Sequence, residues 1–91
     1  MKYVVNKCFG GFRVKEDVLK ALGYGDDWGV KRDDPRLVDM VEKLGSEAVS
    51  GSLSYLEVVE IPDEATDWEL SEYDGVESIT AVVDGKLVHI Y

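Results

Sequence analysis

Two Asp-Gly dipeptides, Asp74-Gly75 and Asp84-Gly85, constrain this chain more than any other feature. Asp-Gly favours a two-residue turn whose central residues both take positive φ, and such turns join neighbouring antiparallel strands. The segment between them, Val76 to Val83, is rich in β-branched residues, which suit a strand. Trp68 to Tyr73 precedes it, with Trp68 and Leu70 on one face and Glu69, Ser71 and Tyr73 on the other. Lys86 to Tyr91 follows as a last strand. The pattern predicts a three-stranded antiparallel meander at the C-terminal end.

The rest of the chain reads as two strands and two helices. Lys2 to Lys7 predicts a short strand, and Leu53 to Ile61 another, closed by Pro62-Asp63. Between them Val14, Val18, Leu19 and Leu22 recur on one helical face, with Gly23 placed as a left-handed C-terminal cap. Tyr24 to Asp33 is a polar loop. Asp34 offers an N-cap oxygen, and Pro35 fills the first helical position, where its missing N–H costs nothing. Leu37, Val38, Val41 and Leu44 continue the apolar stripe. Gly45 either ends this helix or lies inside it. The stripe through Ala48 and Val49 favours the longer helix, ending near Gly51. A chain of 91 residues has the size of one domain, residues 1–91. The expected fold is α+β: two helices packed on one face of a mostly antiparallel four- to five-stranded sheet with a C-terminal β-meander. The other face is left to solvent or to a partner.

Charge is divided unevenly along the chain. The total is −9, which argues against direct nucleic-acid binding, because phosphate contacts run on clustered Lys and Arg. Residues 1–45 hold nine bases and eight acids, a net +1, whereas residues 46–91 hold Lys86 and eleven acids, a net −10. No base falls among Glu57, Glu60, Asp63, Glu64, Asp67, Glu69, Glu72, Asp74 and Glu77. Leu56, Val58, Val59, Ile61, Trp68, Leu70 and Tyr73 thread this block, so it reads as a folded sheet with an acidic exposed face rather than a tail. Such a face serves solubility or meets a basic partner. Carboxylates two apart on a strand lie about 6.6 Å apart, on the scale of charge spacing along a nucleic-acid strand. Glu57, Glu60, Glu69, Glu72 and Glu77, with Trp68 and Tyr73 as aromatic anchors, form the candidate partner-binding set.

Other chemistry is sparse. Lys7, Phe9, Gly10, Gly11, Phe12 and Arg13 form a Gly-rich turn between a strand and a helix. This is an alternative anion- or nucleotide-binding site, although it has neither the Walker nor the dinucleotide spacing. Cys8 and His89 would make a catalytic pair only if the first and last strands adjoin. An enzyme using Cys8 is therefore the lesser alternative, and no catalytic residue is assigned. Two His or Cys side chains are too few for a zinc site. The Asp26-Asp27 and Asp33-Asp34 pairs lack calcium-loop spacing. No metal or cofactor is expected. The lone Cys8 fits a reducing compartment. No apolar run approaches the roughly 18 residues of a membrane span, and MKYVVNKC lacks a signal-peptide stretch. A cytoplasmic setting with no membrane partner is expected. The apolar last strand (Leu87, Val88, Ile90, Tyr91) would leave a sheet edge through which a homodimer can form.

The run Asn6-Lys7-Cys8-Phe9-Gly10-Gly11-Phe12 resembles the opening of a family of small uncharacterised tailed-phage and prophage proteins. Asp34-Pro35-Arg36-Leu37-Val38, Val58-Val59-Glu60-Ile61-Pro62-Asp63 and Trp68-Glu69-Leu70-Ser71-Glu72-Tyr73-Asp74-Gly75 extend the likeness in the same order. Two departures stand out. Arg13-Val14-Lys15 replaces a Gly-Leu-Ser-like helix start, and Val76 to Tyr91 replaces a short aromatic, basic tail. The resemblance implies a phage or prophage origin, a bacterial cytoplasmic setting and an accessory role against a host system. The expectation is a non-enzymatic protein that binds a basic surface on a host or phage protein, as an inhibitor or nucleic-acid mimic.

Overall fold

The computed structural model describes residues 1–91. In chain order it comprises β1 (Lys2–Asn6), α1 (Glu16–Leu22), a 3-10 turn (Asp27–Gly29), α2 (Pro35–Leu44), α3 (Ser46–Val49), β2 (Leu56–Glu60), β3 (Asp67–Tyr73), β4 (Val76–Val83) and β5 (Lys86–His89). The class is α+β and every strand pair is antiparallel. Both Asp-Gly turns form as the sequence requires. Asp74 and Gly75 have φ of 51° and 88°, and Asp84 and Gly85 have 52° and 74°, the positive pair of a two-residue hairpin.

The strands do not form one sheet. β1 and β2 make a two-stranded ribbon, and β3, β4 and β5 make a separate three-stranded sheet. Strand alternation gives the ribbon two apolar faces. Val4, Leu56 and Val58 face the helices and join Val18, Leu19, Leu22, Leu37, Val38, Val41 and Val49 in one core. Tyr3, Val5, Val59 and Ile61 face the other way and pack with Ile79, Trp68, Leu70 and Ile90 of the meander. The face expected to lie open to solvent or a partner is thus covered by the chain's own meander. The result is three layers: helices, ribbon, sheet.

A buried ion pair explains why the sheets stack rather than join. The outer edge of β1 is already satisfied. Val4 N–H donates to the Arg32 carbonyl at 2.8 Å, and Asn6 N–H donates to the Glu77 carboxylate at 2.8 Å. Arg32 holds the same carboxylate in a fork, with bonds of 2.6 and 2.8 Å, and reaches the Val4 carbonyl at 3.2 Å. With no free donor at Val4 or Asn6, β4 cannot extend the ribbon edge-on.

The longer second helix does not form. Gly45 adopts φ 90° and ψ 159°, which no helix accommodates, and the chain restarts as the short α3. This break turns Leu44 (58% exposed) and Ala48 outward and brings Val49 into the core. At the other end of α2 the predicted cap is present. The Asp34 carboxylate accepts Arg36 N–H at 2.9 Å, the Arg36 guanidinium and the Tyr24 hydroxyl at 2.5 Å. Arg36 and Tyr24 hold the Asp34 carboxyl well below the usual carboxylate range.

Two outcomes follow from these contacts. Glu77→Gln leaves Arg32 largely buried without its counter-charge and should lower unfolding free energy by about 3 kcal/mol. Glu72→Gln, on the exposed strand neighbour, should change it by less than about 0.5 kcal/mol. Urea denaturation compares the two. Asp34 gives the second outcome through its depressed folded-state pKa. Its contribution is complete above the unfolded value of 3.8 and drains as pH falls through the lower folded value. Asp34→Asn should therefore cost about 1–2 kcal/mol near neutral pH, and the gap to the parent should narrow steadily as pH falls below 3.8.

Candidate functional site

The structure distributes the acidic block over several surfaces. Glu77 leaves it altogether. At 5% exposure and paired with Arg32, it belongs to the interior and cannot meet a partner, contrary to its place in the expected binding set. The sequence block had no base within it, but the matching base lies 45 residues upstream, brought in by the fold.

Trp68 is also turned inward. Its ring meets Tyr3 edge-on at 4.8 Å and packs on the second core, so it is half-buried rather than an exposed anchor. Burial pushes the Tyr3 hydroxyl pKa up. Glu57 is half-buried and accepts a hydrogen bond from the Tyr91 hydroxyl. Glu60 is exposed near the N-terminal ammonium, 3.8 Å away. These two acids lie on β2, away from the outer face of the meander.

What remains is a coherent surface on that outer face. Cross-strand partners share a face. The register therefore puts Asp67, Val82 and Leu87 in one row and Glu69, Thr80 and His89 in the next. Ser71 with Ser78, and Tyr73 with Val76, complete it. Tyr73 is 79% exposed. Glu72 lies on the opposite parity but beyond the core, exposed, with its carboxylate accepting Gly75 N–H at 2.9 Å. Glu64, Asp67, Glu69, Glu72 and Asp74 form no ion pair, whereas the acids before and after this series do, Asp63 with the N-terminus and Glu77 with Arg32.

The Gly-rich turn has a different use. Gly75 packs directly on it: a Cβ at Gly75 would lie 2.4 Å from Gly11 N and 2.8 Å from Gly10 N. The space an anion would need at those N atoms is filled by the β3–β4 turn. Gly10 also abuts Leu53, where a Cβ would meet the Leu53 carbonyl at 2.6 Å. Lys7 donates to the Glu77 carbonyl at 2.6 Å and lies 4.4 Å from the Tyr91 ring. Phe12 stacks 3.6 Å from the Arg32 guanidinium. Phe9 and Arg13 are exposed. Asn6 binds the junction together. Its side-chain amide donates to the Cys8 and Gly75 carbonyls, and its oxygen accepts Tyr55 N–H and the Ser54 hydroxyl. Arg32 and Asn6 were the two organising residues that sequence patterning missed, because polar residues in a loop and at a strand end carry no periodic signal.

Cys8 and His89 share no hydrogen bond, and β1 and β5 belong to different sheets. No three Asp, Glu, His or Cys side chains converge on one point. The shallow surface depressions include neither Cys8 nor His89. No helix is long and apolar enough to cross a membrane. One feature the sequence reading passed over is Trp28, 96% exposed on the 3-10 turn, which is braced by Asp26 accepting Gly29 N–H and Asp27 accepting Val14 N–H. Comparison with protein-family models, curated proteins and solved structures finds no match to this chain.

The Glu57 contact has a direct spectroscopic consequence. The Glu57 carboxylate accepting from the Tyr91 hydroxyl, aided by burial, pushes Tyr91 up to about 12. Glu57→Gln should return it toward the ordinary value of 10.0. Ultraviolet titration of the parent, this variant and Tyr91→Phe isolates the transition.

Proposed function

We propose that this chain is a non-enzymatic interaction protein that docks on a basic surface of another protein through the outer face of its three-stranded sheet. One observation carries the reading: Glu64, Asp67, Glu69, Glu72 and Asp74 are left without any ion-pair partner in a fold that pairs the acids on either side of them. Asp67 and Glu69 share the outer face, and such unpaired like charges create a field that steers a basic partner and repels a second acidic one. Tyr73 stands among them as a rigid aromatic contact. The resemblance to phage and prophage proteins adds the setting, an accessory protein acting in a bacterial cytoplasm against a host system. Carboxylates spaced along β3 suit a site that otherwise takes nucleic-acid phosphate. The Gly-rich turn is left out of this reading because Gly75 occupies it.

The test is capture from bacterial lysate at low and moderate salt, with identification of what is retained. The parent should retain basic proteins in a salt-sensitive manner. The Asp67→Asn, Glu69→Gln, Glu72→Gln triple variant should lose them while keeping the parent's urea midpoint. Capture that survives neutralisation of all three acids would sink the proposal.

A further inference from the structure

Acidic side chains alone do not set a binding geometry, but the strand that carries them has an open edge. β3 pairs only with β4. In a two-residue hairpin the flanking residues, here Tyr73 and Val76, form a hydrogen-bonded pair. Hydrogen-bonded pairs then alternate along the ladder. Ser71 and Glu69 therefore spend their main-chain groups on β4, and Trp68, Leu70 and Glu72 direct theirs outward. Trp68 N–H is taken by the Asp67 carboxylate at 2.9 Å, which leaves Leu70 and Glu72 as open donor–acceptor positions.

Other edges are shorter or sealed. Arg32 and Glu77 close the edge of β1. On β2, Leu56 N–H goes to the Ser50 hydroxyl. β5 has four residues and ends in a bulge, where the Ile79 carbonyl accepts both Ile90 and Tyr91 N–H. That bulge limits the edge-strand homodimer expected from Leu87 and Val88. β3 offers seven residues.

Its side chains identify the occupant. Two β3 edges brought together would crowd Asp67, Glu69 and Glu72 of both copies into one short ribbon, and like charges so close repel. A strand added beside β3 by a partner would share its two faces. Residues on the outer face would meet Asp67 and Glu69, and residues on the inner face would meet the half-buried Trp68 and Leu70. We infer that the partner contributes an extended segment of alternating basic and apolar residues, which adds to β3 as a fourth strand of the sheet. This inference rests on the acidic-face reading above and narrows it to one binding mode, in which main-chain bonds hold the segment and the acids select its charge.

The probe is a capped eight-residue peptide alternating Lys and Val, with an alternating Glu and Val peptide as control. Two further versions carry N-methyl groups on the Lys amides only or on the Val amides only. Binding to the parent protein is followed by amide NMR and hydrogen exchange. The Lys peptide should bind at low salt and slow exchange at Leu70 and Glu72 by about tenfold or more. One methylated version should lose binding and the other keep it, because only alternate amides face β3. Glu69→Gln should weaken the peptide several-fold, and the Glu peptide should not bind. Absence of binding, indifference to both methylation patterns, or unchanged exchange at Leu70 and Glu72 would each overturn strand addition. The acidic-face reading fails separately, only when lysate capture survives the triple neutralisation.

Discussion

Arg32 and Glu77 form the contact on which the arrangement of layers depends. The guanidinium and carboxylate meet in a two-bond fork, under the Phe12 ring, with Asn6 N–H on the same carboxylate. Burying such a pair returns little net stability, because desolvation offsets most of the attraction. Its effect here is geometric. It occupies the edge of β1, holds β4 at a fixed height over the ribbon and joins the near-neutral first half of the chain to the acidic second half. Without it the ribbon edge and the meander would compete for the same backbone groups.

A second constraint acts beside it. Gly75 sits so close to Gly10 and Gly11 that a methyl group would overlap main-chain nitrogen, and Asn6 bonds to the Gly75 carbonyl at 2.6 Å. The stretches Asn6 to Phe12 and Trp68 to Gly75 therefore meet in space. Their glycines and asparagine act in the framework. This separates the turn's role from that of the acids: the turn positions the β3–β4 hairpin, and the hairpin presents Tyr73, Glu69 and Asp67 outward.

The acidic surface is smaller and more ordered than its composition implies. Glu77 is interior, Glu57 is engaged by Tyr91, and Glu60 and Asp63 lie by the N-terminal ammonium. Of what is left, Asp67 and Glu69 lie on the outer face of β3, and Glu72 is exposed on the opposite parity of the same strand. Acids at an edge suppress pairing between copies of the same chain, and the same charges favour an added strand that is basic. Solubility and recognition thus draw on one set of side chains, with backbone groups at Leu70 and Glu72 supplying the difference.

The elements with strong local signals were legible from residues alone. The Asp-Gly turns demanded positive φ, the Asp34-Pro35 cap began α2, Gly23 closed α1, and alternation in β3 separated Trp68 and Leu70 from Glu69 and Tyr73. Local sequence therefore determined the α+β class, the meander and the alternation that sets Glu69 and Tyr73 opposite Trp68 and Leu70. It did not determine that Gly45 breaks the second helix, because the apolar stripe continues past it and only packing of Val49 favours the turn. Nor did it reveal that the strands divide into two stacked sheets, that Trp68 and Glu77 face inward, or that the Gly-rich turn is filled. Each of those depends on a contact between residues far apart in the chain: Arg32 with Glu77, Tyr3 with Trp68, Gly10 and Gly11 with Gly75. Periodicity reports which side of an element is apolar. Which element covers that side, and which charge finds a partner, is settled only when the layers close on one another.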